Sequence, residues 1–196
     1  MRTLGVTIAA VLVAVPTALA GGPATQANAN ATTKACQNLK AQMGARNFNA
    51  TFAPRSHSAR AALRNCARRE AAARAQARTN AAHTCKSWRE DPAAFTAAMT
   101  GTANAGKTFV EVYGAGRNGY GKCVSSEARA RNQARRVALV NAAKTCRSWK
   151  SDAAAFTAAT AGTANAGKTF ADVYGTGANA YGKCVSQQAR AARTSA

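Results

Sequence analysis

The sequence predicts an all-α protein: three tandem disulfide-closed helical units joined by two long basic helices. Three observations predict it. Alanine supplies 53 of the 196 residues, and beyond residue 20 there is no run of Val, Ile or Leu of the kind a buried strand needs. Residues 55–91 and 123–161 contain neither Gly nor Pro and are rich in Ala, Arg and Gln, which favours long helices. Six cysteines recur in register with an internal repeat. After residue 20 only 16 of 176 residues are Val, Leu or Phe, and none is Ile, well under the roughly 20% expected of a chain that builds a large core. That excludes a large single-core α/β enzyme.

Residues 1–20 read as a cleaved export signal. Arg2 precedes an apolar run from Leu4 to Val15, and Ala18-Leu19-Ala20 offers small residues for cleavage. The run is shorter than the about 20 residues that span a bilayer. Ala27-Asn28-Ala29 is a second possible cleavage pattern. The expected location is secreted or extracellular, in association with the cell wall, with no transmembrane segment after cleavage. Residues 21–33 read as a flexible lead-in.

Residues 80–130 and 141–191 align without a gap at an offset of 61, with 37 of 51 positions identical. A degenerate copy precedes them. Its Cys36-x-x-Leu39, Phe48-x₃-Phe52 and Leu63-x-x-Cys66 match Cys85-x-x-Trp88, Phe109-x₃-Tyr113 and Tyr120-x-x-Cys123. The units are thus placed at 34–78, 79–130 and 131–196, each opened and closed by one cysteine. An exported chain with six cysteines is read as holding three disulfides. The repeat favours Cys36–Cys66, Cys85–Cys123 and Cys146–Cys184. Pairing Cys66 with Cys85, or Cys123 with Cys146, along one helix would require bridging about 28 and about 34 Å, far beyond the about 7 Å limit between Cα atoms. No two cysteines have C-x₂-C spacing, and His57 and His83 are the only histidines, so no metal or other cofactor is expected.

Within unit two, Asp91-Pro92 reads as N-cap and first turn of a short helix through Phe95 towards Met99. Phe109 and Tyr113 lie one helical turn apart and Gly114 follows, which reads as a short helix with a glycine stop. Residues 114–121 read as a Gly-rich loop, after which Cys123 opens the next long helix. Trp88, Phe95, Phe109, Tyr113, Tyr120 and Val124 form the expected core of this unit. Trp149, Phe156, Phe170, Tyr174, Tyr181 and Val185 do so in unit three.

The spelling F-x₃-Y-G … N-[AG]-Y-G-K-C-V-S, carried by Cys85 to Ser125 and Cys146 to Ser186, resembles a motif of small secreted proteins of high-GC Gram-positive bacteria. The resemblance implies export and a small helical, cysteine-bearing unit, and it brings no activity with it. Unit one departs from the motif, with Arg64-Asn65 before the cysteine and Ala67-Arg68 after it.

Gly101 to Thr108 and Gly162 to Thr169 match G-x₄-G-K-[ST], the loop that cradles nucleotide phosphates. A working loop of that kind follows a buried strand and needs an Asp at the end of a second strand for its metal. Here AAFTAAM and AAFTAAT precede it and read as helix, so a Gly/Thr/Asn turn and no bound nucleotide are expected. Among the seven acidic residues Glu111 and Asp172 are repeat equivalents, each one carboxylate of its own unit and not half of a facing pair as glycoside hydrolysis needs. No histidine is repeated, and the bridges leave no thiol nucleophile. The chain is therefore expected not to be an enzyme.

Charge is segregated. The formal net charge is +20, and residues 55–90 and 122–150 each carry +7 of it, whereas 91–121 and 151–182 are close to neutral. At about 100° per residue, Arg60, Arg64, Arg68, Arg74, Arg78, Lys86 and Arg89 fall in a sector about 120° wide, with Arg69 outside it. Arg129, Arg131, Arg135, Arg136, Lys144, Arg147 and Lys150 spread more evenly around the second helix. Arginine suits bidentate phosphate contacts. Arg60, Arg64, Arg68, Arg74, Arg78, Arg129, Arg131, Arg135 and Arg136 are the expected contacts for an anionic polymer (teichoic acid, extracellular nucleic acid or polyphosphate). The alternative is a structural or interaction protein whose neutral loops, Tyr113 to Gly121 and Tyr174 to Gly182, contact a protein partner, with the charge serving solubility alone.

Overall fold

The computed structural model describes residues 23–194; residues 1–20, read from the sequence as an export signal, lie outside the described residues. Every regular element among them is an α-helix: α1 (Pro23–Met43), α2 (Ala45–Phe52), α3 (Ala59–Glu90), α4 (Pro92–Met99), α5 (Phe109–Tyr113), α6 (Gly116–Ser151), α7 (Ala153–Thr160), α8 (Phe170–Tyr174) and α9 (Ala180–Thr194). No helix among these is long and apolar enough to cross a membrane.

Local chemistry explains the boundaries. Asp91 ends α3 and caps α4, accepting from the backbone N–H of Ala93 and Ala94 at 3.0 and 3.1 Å with Pro92 at the first position. Asp152 repeats the cap for α7 through Ala155, so the stretch 123–161, read as one helix, is two helices with a corner at Asp152. Ser58 caps α3, which begins at Ala59 and not at 55. α5 and α8 each open with a capping box. Thr108 exchanges hydrogen bonds with Glu111, and Thr169 does so with Asp172. These bonds hold both carboxyls below their ordinary pKa. For Glu111 the backbone N–H of Thr108 leads; for Asp172 the hydroxyl of Thr169 does.

Two expectations from composition change. Residues 23–33, read as a lead-in, belong to α1: the Arg74 side chain donates to the Ala31 carbonyl at 2.9 Å, and Thr32 and Ala35 are buried. The loop 114–121 is largely helix, since α6 starts at Gly116 whereas its repeat equivalent α9 starts at Ala180. Gly119 is the reason. A Cβ there would stand 1.9 Å from the Gly114 carbonyl oxygen, so only glycine lets the helix begin a turn early. Unit three has Ala180 at this place, and its chain bends through 176–179 instead.

The three disulfides join the pairs expected from the repeat, with Cα atoms 5.9, 6.0 and 5.9 Å apart. Cys85–Cys123 at one end and the Glu70–Arg136 pair farther along fix α3 and α6 as an antiparallel hairpin. α1 runs antiparallel to α3, clamped by Cys36–Cys66, and α9 runs back along α6 from Cys146–Cys184. The repeat is exact enough that Trp88–Phe95 and Trp149–Phe156 meet edge to face at 5.7 and 5.6 Å. Tyr120 donates to the Ala82 carbonyl and Tyr181 to the Ala143 carbonyl.

The cores do not stack in chain order. Units one and three share one hydrophobic cluster, in which Leu39, Phe48 and Phe52 meet Cys146, Phe156, Tyr174, Tyr181 and Val185. Unit two keeps a separate small cluster around Phe95, Met99 and Phe109 at the far end of the hairpin. A third cluster, the alanine seam Ala77, Ala81 and Ala128, lies along α3 and α6 next to that of unit two, with Val124 packed against both. The α3–α6 hairpin returns the chain to its start, so α2 packs on α9.

Candidate functional site

A groove of about 1090 Å³ lies over the middle of α3, walled by α1 and α6. Arg68, Arg74 and Arg78 reach it from α3, and Arg129 and Arg136 from α6. α1 contributes Ala29, Thr32 and Thr33. No Asp or Glu is among the lining residues.

The groove rests on one carboxylate. Glu70 on α3 is 1% exposed and accepts from Arg135 and, at 3.2 Å, from Arg136. One negative charge thus serves two guanidinium groups. Arg74, one turn along α3, adds a third cation. Burial lowers its pKa first, the Arg136 charge lowers it further, and Glu70 opposes them. The positive charge held around this site exceeds what its one carboxylate neutralises. A buried carboxylate with two cations is stable only where hydrogen bonds accompany the charges, and Glu70 holds Arg135 and Arg136 in place through both of its oxygens. In the α6 wall, Asn132 Nδ2 donates to the Ala128 carbonyl at 2.7 Å, while Asn132 Oδ1 and Arg135 Nε are buried without a hydrogen-bond partner.

The other sequence-predicted arginines lie elsewhere. Arg60 and Arg64 stand exposed near the start of α3, outside the groove lining. Arg131 donates to the Thr84 hydroxyl at 3.0 Å and fastens α6 to α3. Arg135 is committed to Glu70. Arg69, expected outside the stripe, stacks over the Phe52 ring at 5.6 Å and ties α3 to α2. Arg89 covers Tyr120 at 5.2 Å.

Sequence reasoning passed over Glu70 and the α1 wall. The signal for Glu70 was its isolation: between Arg55 and Arg89 it is the one acidic residue among nine basic ones. The α1 wall had no local signal, because Ala, Thr and Asn there look like linker.

The two G-x₄-G-K-T segments are runs of turns. Lys107 donates to the Asn104 side chain at 3.3 Å, and the Thr108 hydroxyl is used in capping α5. No cluster of His, Cys, Asp or Glu among the described residues is placed to hold a metal ion. Comparison with protein-family models, curated proteins and solved structures finds no match to this chain.

Proposed function

We propose that the chain is an exported, non-enzymatic protein that binds phosphate-rich anionic polymer at or near the cell envelope. The observation that carries this reading is the convergence of five arginines on one groove with no acidic residue in its lining. Like charges gathered beyond what one carboxylate neutralises cost stability in a thin-cored protein, and an anionic ligand offsets that cost. The disulfides fit an extracellular setting, where they persist. The family resemblance in the F-x₃-Y-G … Y-G-K-C-V-S segments points the same way. The alternative contact through the Gly/Tyr loops gains no support from three of their four tyrosines, since the hydroxyls of Tyr120 and Tyr181 bond inward and Tyr174 accepts from Gln188.

The test is retention of the oxidised protein on isolated cell walls, with and without their teichoic acid, eluted by salt. Five phosphate contacts to a single chain give a log–log salt slope of about −3 to −4. That slope is roughly a hundredfold loss of affinity between about 50 and about 200 mM salt. Teichoic-acid-dependent retention with this slope is the expected result. Absent retention, or retention indifferent to salt, overturns the proposal.

A further inference from the structure

The shape of the groove narrows the kind of polymer, given the polyanion reading above. Arg68 and Arg78 lie ten residues apart on α3, about 15 Å along the helix axis. Arg129 and Arg136 on the antiparallel α6 wall span about 10 Å. The antiparallel register set by Glu70–Arg136 and Cys85–Cys123 puts Arg129 level with Arg78, so cations face the groove from both sides. Along this line the positive charges are spaced through the length of a slot, not gathered at one point. Arg74 and Arg136 are half-buried and Arg68, Arg78 and Arg129 are exposed, with α1 closing the third side: Thr32 and Thr33 line it, and Arg74 donates to Ala31.

α1 and α6 both pack on α3, so the groove is a furrow that runs along α3 with a helix on either side. A nucleic-acid duplex is read the other way round, by a protein helix or ribbon that projects into a groove about 12 Å wide. Here the arginines line a concavity between three helices. A single phosphate would meet one or two of the guanidinium groups, whereas a flexible chain lying along the slot meets all five. We infer that the groove takes a flexible, linear chain of successive phosphates, threaded between α1 and α6 along α3, in preference to free phosphate and to rigid double-stranded nucleic acid.

The experiment measures binding of the oxidised protein to orthophosphate, short and long linear polyphosphate, poly(glycerol phosphate), single-stranded DNA and duplex DNA of matched length. Each affinity is expressed per phosphate and read at several salt concentrations. The expected result is affinity that climbs with chain length and then levels off once the slot is filled, with each flexible chain at least tenfold tighter than the duplex. The separate polyphosphate, poly(glycerol phosphate) and DNA arms identify the source of the chain. Arg68→Gln, Arg78→Gln and Arg129→Gln together remove three exposed groove cations that have no carboxylate partner. This variant should reduce the salt slope from about 3.5 to about 1.5. The charge-matched variant Arg46→Gln, Arg117→Gln and Arg190→Gln, all exposed and outside the groove, should leave the slope within a few tenths of the original. Duplex DNA binding as tightly as the flexible chains, or equal losses in the two triple variants, overturns this inference and leaves polyanion binding standing. No binding to any phosphate polymer overturns both.

Discussion

Gly121 and Gly182 occupy the same place in the repeated Tyr-Gly-Lys-Cys-Val-Ser segment, and the structure gives them opposite surroundings. Gly121 is exposed, and a Cβ built there meets nothing within 4 Å. Gly182 is buried, and its Cβ would lie 3.0 Å from the Ala50 carbonyl oxygen and 3.8 Å from Thr51 Cα, because α2 of unit one is seated on α9. Glycine inside a helix costs about 0.5–1 kcal/mol relative to alanine. Gly121→Ala should recover that amount, which in a chain of this size raises Tm by about 1–4 °C. Gly182→Ala carries the same gain but presses on the Ala50 carbonyl of α2, which must give by a few tenths of an ångström. Overpacking of this kind costs about 1–3 kcal/mol, so the helix gain is cancelled or outweighed: the net change runs from about 0 to a loss of about 2.5 kcal/mol, and Tm does not rise as it does for Gly121→Ala. Thermal unfolding of the two oxidised variants by circular dichroism at 222 nm reads the difference. Equal shifts of the same sign would refute the docking of α2 on α9, since identical sequence would then see identical surroundings.

Glu70→Gln leaves Arg135 and Arg136 without their counter-charge, and breaking a buried pair in this way typically costs about 3–5 kcal/mol; a change in urea midpoint equivalent to less than about 1 kcal/mol would show that Glu70 does not organise the groove. Replacing Cys85 and Cys123 by alanine removes the clamp from the small, separate cluster of unit two, at a cost of about 2–4 kcal/mol. Amide exchange should then accelerate in α4 and α5 well before it does in α2 and α9, and uniform acceleration would mean that the two clusters unfold as one. Burial raises the Tyr181 phenol to about 12, with Arg147 partly opposing the shift. A group whose folded pKa is raised contributes stability below its unfolded pKa, near 10.0, and loses it as pH climbs towards about 12. Tm should therefore fall across that alkaline interval, and the fall should be smaller in Tyr181→Phe.

Much of the fold was written in short spacings. The Gly- and Pro-free runs marked α3 and α6, Asp91-Pro92 marked the corner into α4, and Phe109-x₃-Tyr113-Gly114 marked α5 and its stop. The register of the repeat paired all six cysteines. The early start of α6 was missed because a glycine-rich stretch reads as loop; only the approach of the Gly114 carbonyl shows that Gly119 is there to admit a helix. Of the nine arginines singled out, the sequence placed three in one stripe that does face the groove, Arg68, Arg74 and Arg78. It could not tell Arg136, which both lines the groove and bonds Glu70, from its neighbour Arg135, which is committed to Glu70.

The helical class, the Asp91 cap, the disulfide pairing and the sign and segregation of the charge were all legible in the residues alone. Each of these depends on residues within a few turns of one another or on a repeat that can be read by alignment. It took the folded chain to show that unit three packs on unit one instead of on unit two, that α1 walls the groove, and that Glu70 gathers two arginines from α6. Those outcomes follow from the length and direction of the α3–α6 hairpin, which carries the chain out to unit two and returns it to its start. Such long-range closure is set by the summed geometry of whole helices and leaves no local pattern in the residues that meet.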